Sequence, residues 1–123
     1  MKKLMIVDDS NIIRSKISRC HNAGAFELVA TAKNGVEALH NFQTYKPDVI
    51  TMDLTMPEMD GIQCIEMLVA ADPEVLILVV SALSDKATGI EALEKGARGF
   101  LLKPFTEEQL SEALEELTEH LND

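Results

Sequence analysis

The chain has 123 residues, 46% of them apolar, with a formal net charge of −10. That length suits one domain, and the acidity excludes unaided binding to nucleic acid or to an anionic membrane, which needs a basic surface. Tryptophan is absent and aromatics are 4%, so the core must be aliphatic; the first apolar stretch, Leu4 to Val7, is too short for a secretory h-region or a membrane span, and a cytoplasmic protein without membrane insertion is expected.

Leu4 to Val7 reads as a first buried strand with Asp8-Asp9 at its end, and Ile13, Ile17 and Cys20 then share a helical face. A second strand, Leu28 to Ala32, precedes a helix with the stripe Val36, Leu39 and Phe42. The third strand, Val49 to Met52, ends at Asp53. Pro57 is expected to turn the chain out of it, and Gly61 to free the backbone for a third helix with Ile62, Ile65 and Val69 inward. Val75 to Val80 is the fourth strand, followed by Ser81, and Ile90 with Leu93 marks a fourth helix that contains Gly89. Gly99 to Leu102 is the fifth strand, closed by Lys103-Pro104. In the last helix Leu110, Ala113, Leu114, Leu117 and Leu121 form the stripe, and Thr106 with Gln109 forms a capping box. Its Glu-rich opposite face, Glu107 to Glu119, is either a solvated surface or a docking surface.

Strict alternation of strands and helices implies an α/β, doubly wound parallel sheet, because parallel neighbours need crossover helices that cover both faces. Cys20 and Cys64 form no C-x-x-C pair and read as reduced, buried thiols, while His21, His40 and His120 are scattered over helices and read as surface residues.

In such sheets, sites gather at the carboxyl ends of the strands. Those ends carry three carboxylates (Asp8, Asp9 and Asp53), the Ser81 hydroxyl and the Lys103 ammonium. Converging carboxylates repel unless a cation holds them, and an all-oxygen donor set suits Mg²⁺ or Mn²⁺ better than zinc. A carboxylate nucleophile, a divalent ion, a lysine and a hydroxyl are the parts that phosphoryl transfer to aspartate requires. Asp53 would be the acceptor, and Lys103 would offset charge on the phosphoryl oxygens.

The motifs "VDDS" (Val7 to Ser10), "MDLTMPEMDG" (Met52 to Gly61), "SAL" (Ser81 to Leu83) and "KPF" (Lys103 to Phe105) follow one another along the chain. In order and spacing the sequence resembles the receiver domain of two-component response regulators, most closely the single-domain chemotaxis type, over essentially residues 1–123. The resemblance implies a flavodoxin-like, CheY-like fold of five strands and five helices. It implies that Asp53 takes a phosphoryl group from a histidine kinase or a histidine phosphotransfer protein. Asp8 and Asp9 would hold Mg²⁺ with Asp53 and the Thr55 backbone carbonyl; Lys103 would contact the phosphoryl group, and Ser81 would bond to it after transfer. Phe100 stands where the family has a ring that turns inward on activation, so it keeps the rotating bulk without a tyrosine hydroxyl. Gly89, about 1 kcal/mol worse than alanine inside a helix, either makes the fourth helix yielding or relieves crowding. Partners would read the face made by the fourth helix, fifth strand and fifth helix.

Thr55 and Leu83 occupy the positions that tune phosphoryl lifetime in the family. Leu83 is expected to shield the acyl phosphate from water, so that Leu83→Glu would speed dephosphorylation. The expected protein is a monomeric, stand-alone regulator that catalyses only its own phosphorylation and slow dephosphorylation. A phosphorelay intermediate and a receiver fragment of a larger transcription factor are the alternatives. A haloacid dehalogenase-type phosphatase is remote, since its second aspartate would fall at Thr55. No Walker-type loop supports a nucleotide switch.

Overall fold

The computed structural model describes residues 2–20, 26–54, 61–82 and 86–119, the side chains of Cys20 and Lys86 excepted. Its elements alternate as β1 (Lys2–Val7), α1 (Asn11–Cys20), β2 (Phe26–Ala32), α2 (Gly35–Tyr45), β3 (Val49–Asp53), α3 (Gly61–Ala71), β4 (Leu76–Ala82), α4 (Lys86–Glu94), β5 (Gly99–Lys103) and α5 (Glu107–Thr118). All strand pairs are parallel, in the order β2-β1-β3-β4-β5. This is the expected five-stranded doubly wound sheet.

Period-two alternation along the strands sorts side chains to opposite faces, and the core accordingly splits in two. Met5, Val7, Ile50, Met52, Ile77 and Val79 pack with residues of α2, α3 and α4, whereas Leu4, Ile6, Val49, Leu78 and Val80 pack with α1 and α5. The inner strands β1, β3 and β4 are almost wholly buried, as their unbroken apolar runs require.

Two helix stripes and one strand boundary differ from the expectation. In α2 the buried residues are Gly35, Ala38 and Phe42, while Val36 is exposed. In α4 both Ile90 and Leu93 are exposed, and Gly89 and Ala92 face inward. In α4 the small Gly89 lies directly against the Phe100 ring, so burial there follows the small side chains rather than the large ones. The third difference is length: Val75 precedes β4, and that strand runs on through Ser81 to Ala82. The α5 stripe holds at Leu110, Leu114 and Leu117, and the Thr106–Gln109 capping box is formed in both directions. Leu121, His21, His120 and Pro57 lie outside the described residues, and His40 is exposed.

Strand order reverses between β1 and β3, since the chain leaves β1 to one side for β2 and then crosses to the other side for β3. That reversal opens a crevice beyond the carboxyl ends of these two strands. A register shift between Leu4 and Met5, which skips Val29 on β2, brings Val7 opposite Ala32. The Asp8 N–H then donates to the Ala32 carbonyl at 3.0 Å, fixing the first acidic residue at the crevice.

Candidate functional site

Asp8 follows β1 directly and is 1% exposed. Its Oδ1 accepts from the Ser10 N–H at 2.9 Å, an Asx turn that folds the chain back over the strand end. Ser10 in turn caps α1: its Oγ accepts from the Ile13 N–H at 3.3 Å, and its carbonyl accepts from the Arg14 N–H at 3.0 Å. "VDDS" is thus a strand end, a tight turn and a helix cap in sequence, and Asp9 between them stays exposed.

Asp53 closes β3, paired in register with Val80 of β4, and is 2% exposed. The start of α3 lies against this strand end, because a Cβ on Gly61 would come 2.7 Å from the Leu54 Cα and 2.9 Å from the Asp53 carbonyl oxygen. Gly61 is therefore present for close backbone approach rather than for the conformational freedom expected of it. Lys103 ends β5 and sends its ammonium across the crevice, 3.3 Å from Asp8 Oδ2 and 3.8 Å from Asp53 Oδ1. One carboxylate oxygen from each of Asp8, Asp9 and Asp53 lies within 4.8 Å of the others. Three carboxylates against one ammonium leave an excess of negative charge in a largely buried site, and the donors are all hard oxygens. That donor set fits a divalent cation of the Mg²⁺ class.

Ser81 is buried near the end of β4, and its Oγ has no hydrogen-bond partner among the described residues; Thr51 Oγ1 on β3 is in the same condition. Phe100 is half-buried on β5, its ring resting on α4 where Gly89 leaves space: a Cβ there would sit 1.6 Å from one ring carbon. Of the two readings of Gly89, this contact supports the relief of crowding. The structure therefore brings together Asp8, Asp9, Asp53 and Lys103, and leaves Ser81 as a buried, unengaged hydroxyl. Thr55 and Leu83 lie outside the described residues.

Two supporting residues escaped the sequence reading. Arg14 Nη1 donates to the Asp8 carbonyl at 2.6 Å and Nη2 bonds Asn11, clamping the turn from α1. Lys16 donates to the Phe105 carbonyl and lies 4.6 Å from the Phe105 ring centroid, anchoring the turn that follows Lys103. Cys64 is buried, its thiol near the Gly35 carbonyl, and burial pushes its pKa up to about 11, so it stays protonated at neutral pH.

A family model described as the response regulator receiver domain matches residues 4–115. The chain belongs to the receiver family of response regulators. Among its relatives, the chemotaxis protein CheY of Listeria monocytogenes is 41% identical over 115 residues, covering 94% of this chain and 97% of that protein. CheY of Thermotoga maritima is 38% identical over 117 residues, covering 95% and 98%. One chain of the crystal structure of the CheX–CheY–BeF₃–Mg²⁺ complex from Borrelia burgdorferi matches with a TM-score of 0.87 at 28% identity, covering 94% of this receiver and 87% of that chain. No described helix of the receiver is long and apolar enough to cross a membrane.

Proposed function

We propose that this receiver stores a phosphoryl group on Asp53 as a signal, in a two-component pathway of the chemotaxis type. The observation that carries the reading is the convergence of Asp8, Asp9 and Asp53 within 4.8 Å, with Lys103 reaching Asp8 and Asp53 from a third strand. The named relatives, chemotaxis proteins of nearly equal length, support the pathway class.

In the proposed reaction an Asp53 carboxylate oxygen attacks phosphorus in line, the bond from phosphorus to the donor imidazole nitrogen of a histidine kinase breaks, and an acyl phosphate forms. The buried position of Asp53 limits solvation of the nucleophile and keeps bulk water from the product. The Lys103 ammonium moves from carboxylate oxygens to phosphoryl oxygens, and the unengaged Ser81 hydroxyl donates to one of them. Asp8, Asp9 and Asp53 would hold Mg²⁺, or Mn²⁺ in its place, which when bound offsets the negative charge of carboxylates and phosphoryl group together. Engagement of Ser81 shifts the end of β4, and Phe100 leaves its seat on Gly89, altering the face of α4, β5 and α5 that a downstream protein reads. The protein catalyses only its own phosphorylation and slow dephosphorylation.

Beryllofluoride, which mimics a phosphoryl group on a carboxylate, tests this. With Mg²⁺ it should shift the amide resonances of Ser81 and Phe100 in the wild type and leave Asp53→Ala unchanged. Equal shifts in Asp53→Ala would sink the assignment.

A further inference from the structure

We propose that Arg14 is a positioning residue for the divalent ion: it orients the Asp8–Asp9 peptide so that both carboxylates face Asp53, and thereby sets the affinity of the site. The role rests on the receiver reading for its metal site, to which it adds a residue that is not itself a ligand.

The two acids of the turn are held very differently. Asp8 is fixed at four points: its N–H donates to the Ala32 carbonyl, its Oδ1 accepts from the Ser10 N–H, its Oδ2 meets the Lys103 ammonium, and its own carbonyl accepts from Arg14 Nη1 at 2.6 Å. Asp9 is exposed, and among the described residues no hydrogen bond or ion pair holds its carboxylate. Yet one of its oxygens lies within 4.8 Å of those of Asp8 and Asp53. Its place comes from the backbone. The Asp8 carbonyl and the Asp9 nitrogen share one rigid peptide plane, so a bond that fixes that oxygen also restricts the direction in which the Asp9 side chain leaves. Arg14 supplies the bond from the first turn of α1, and Asn11 Oδ1 holds the same guanidinium through Nη2.

Arginine suits this place for its shape more than for its charge. Its planar fork reaches a carbonyl and an amide oxygen at once, whereas a lysine ammonium is one point charge on a flexible stem. As a charge alone, Arg14 works against a bound cation, since like charges repel. The two contributions therefore have opposite signs. Removing the guanidinium relieves a repulsion but frees the peptide plane, and in metal sites the loss of such an outer partner costs about ten- to a hundredfold in affinity. Lys33 provides the comparison, because it is an exposed cation lining the same polar pocket as Arg14 and makes no bond to the acidic turn.

The test titrates the whole chain with Mg²⁺ by isothermal titration calorimetry. Arg14→Lys, which keeps the charge, and Arg14→Ala, which removes it, should both bind about tenfold more weakly than the wild type. Lys33→Ala should bind within about twofold of the wild type or tighter, as loss of a repelling charge requires. A wild-type affinity in Arg14→Lys, or tighter binding by Arg14→Ala, would overturn the proposal, because charge alone would then govern the site. Phosphorylation by acetyl phosphate separates positioning from general damage. Arg14→Lys should need about tenfold more Mg²⁺ for half its maximal rate, yet reach a maximal rate within about twofold of the wild type. A lower maximal rate at an unchanged half-saturating Mg²⁺ concentration would equally overturn the role. Loss of Mg²⁺ binding in Asp9→Ala upholds the site itself, so an unaffected Arg14→Lys then counts against Arg14 and not against the receiver reading.

Discussion

Asp53 is useful only where it stands, and much of what holds it there is backbone. Gly61 shows this most clearly, since any side chain would drive a Cβ into the Leu54 Cα and the Asp53 carbonyl, neither of which can swing aside. Gly61→Ala should cost about 1–3 kcal/mol in urea unfolding, the usual range for overpacking, and slow phosphoryl uptake at Asp53. Unchanged stability would mean that α3 can move off β3. Cys64 gives a second expectation at this scale. Its folded pKa is raised to about 11, above the ordinary thiol value of 9.0, so its contribution is complete below pH 9 and is lost as pH rises through 11. Wild-type stability should therefore fall between pH 9 and 11 more steeply than that of Cys64→Ala, compared by urea midpoints; parallel profiles would contradict it. Asp8, Asp53, Ser81 and Lys103 were legible in the sequence because strand ends are marked by the close of apolar runs. Lys16 was not, because its contact with Phe105 spans 89 residues; Arg14 was not, because its bonds to Asp8 and Asn11 are local but an arginine in the first turns of a helix reads simply as a solvated surface residue.

At the scale of elements, α4 and β5 behave as one unit. The Phe100 ring occupies the volume that a methyl group at residue 89 would need. In a bare helix Gly→Ala gains about 1 kcal/mol, so the sign of Gly89→Ala depends on whether the ring is present. A double-mutant cycle should show Gly89→Ala stabilising in the Phe100→Ala background and destabilising in the wild type, with a coupling of about 1 kcal/mol or more. Additivity would dissolve the unit. The same contact explains why the stripe of α4 was misread: Ile90 and Leu93 have core-like spacing, but the ring from β5 demands a small residue beneath it, and the helix turns Gly89 and Ala92 inward instead. In α2 the buried face was misread as well: Gly35, Ala38 and Phe42 are buried there, and Val36 is exposed. The faces of α3 and α5 were legible because large aliphatic residues do fill them.

For the whole molecule, alternation of strands and helices was sufficient to read a parallel sheet, but strand order was not local information. Only the structure shows that β1 and β3 flank the reversal and that β5 is an edge. That order gathers charge from three strands into one crevice, and the chain as a whole carries −10. A divalent cation should then stabilise the fold, by about 2.7 kcal/mol when present at a hundredfold excess over its dissociation constant. Thermal unfolding in Mg²⁺ and in EDTA checks this. Asp9→Ala should abolish most of the gain yet be no less stable than wild type without metal, because Asp9 is exposed and its loss removes a repulsion. A full Mg²⁺ response in that variant would remove Asp9 from the site. The central claim, that Asp53 is the acceptor, is tested most directly by intact-mass and peptide mapping after incubation with acetyl phosphate. The wild type with Mg²⁺ should gain one phosphoryl group, located on the peptide containing Asp53, with none in EDTA or in Asp53→Ala. A phosphoryl group gained by Asp53→Ala at the wild-type rate, or gained equally without metal, would contradict the account.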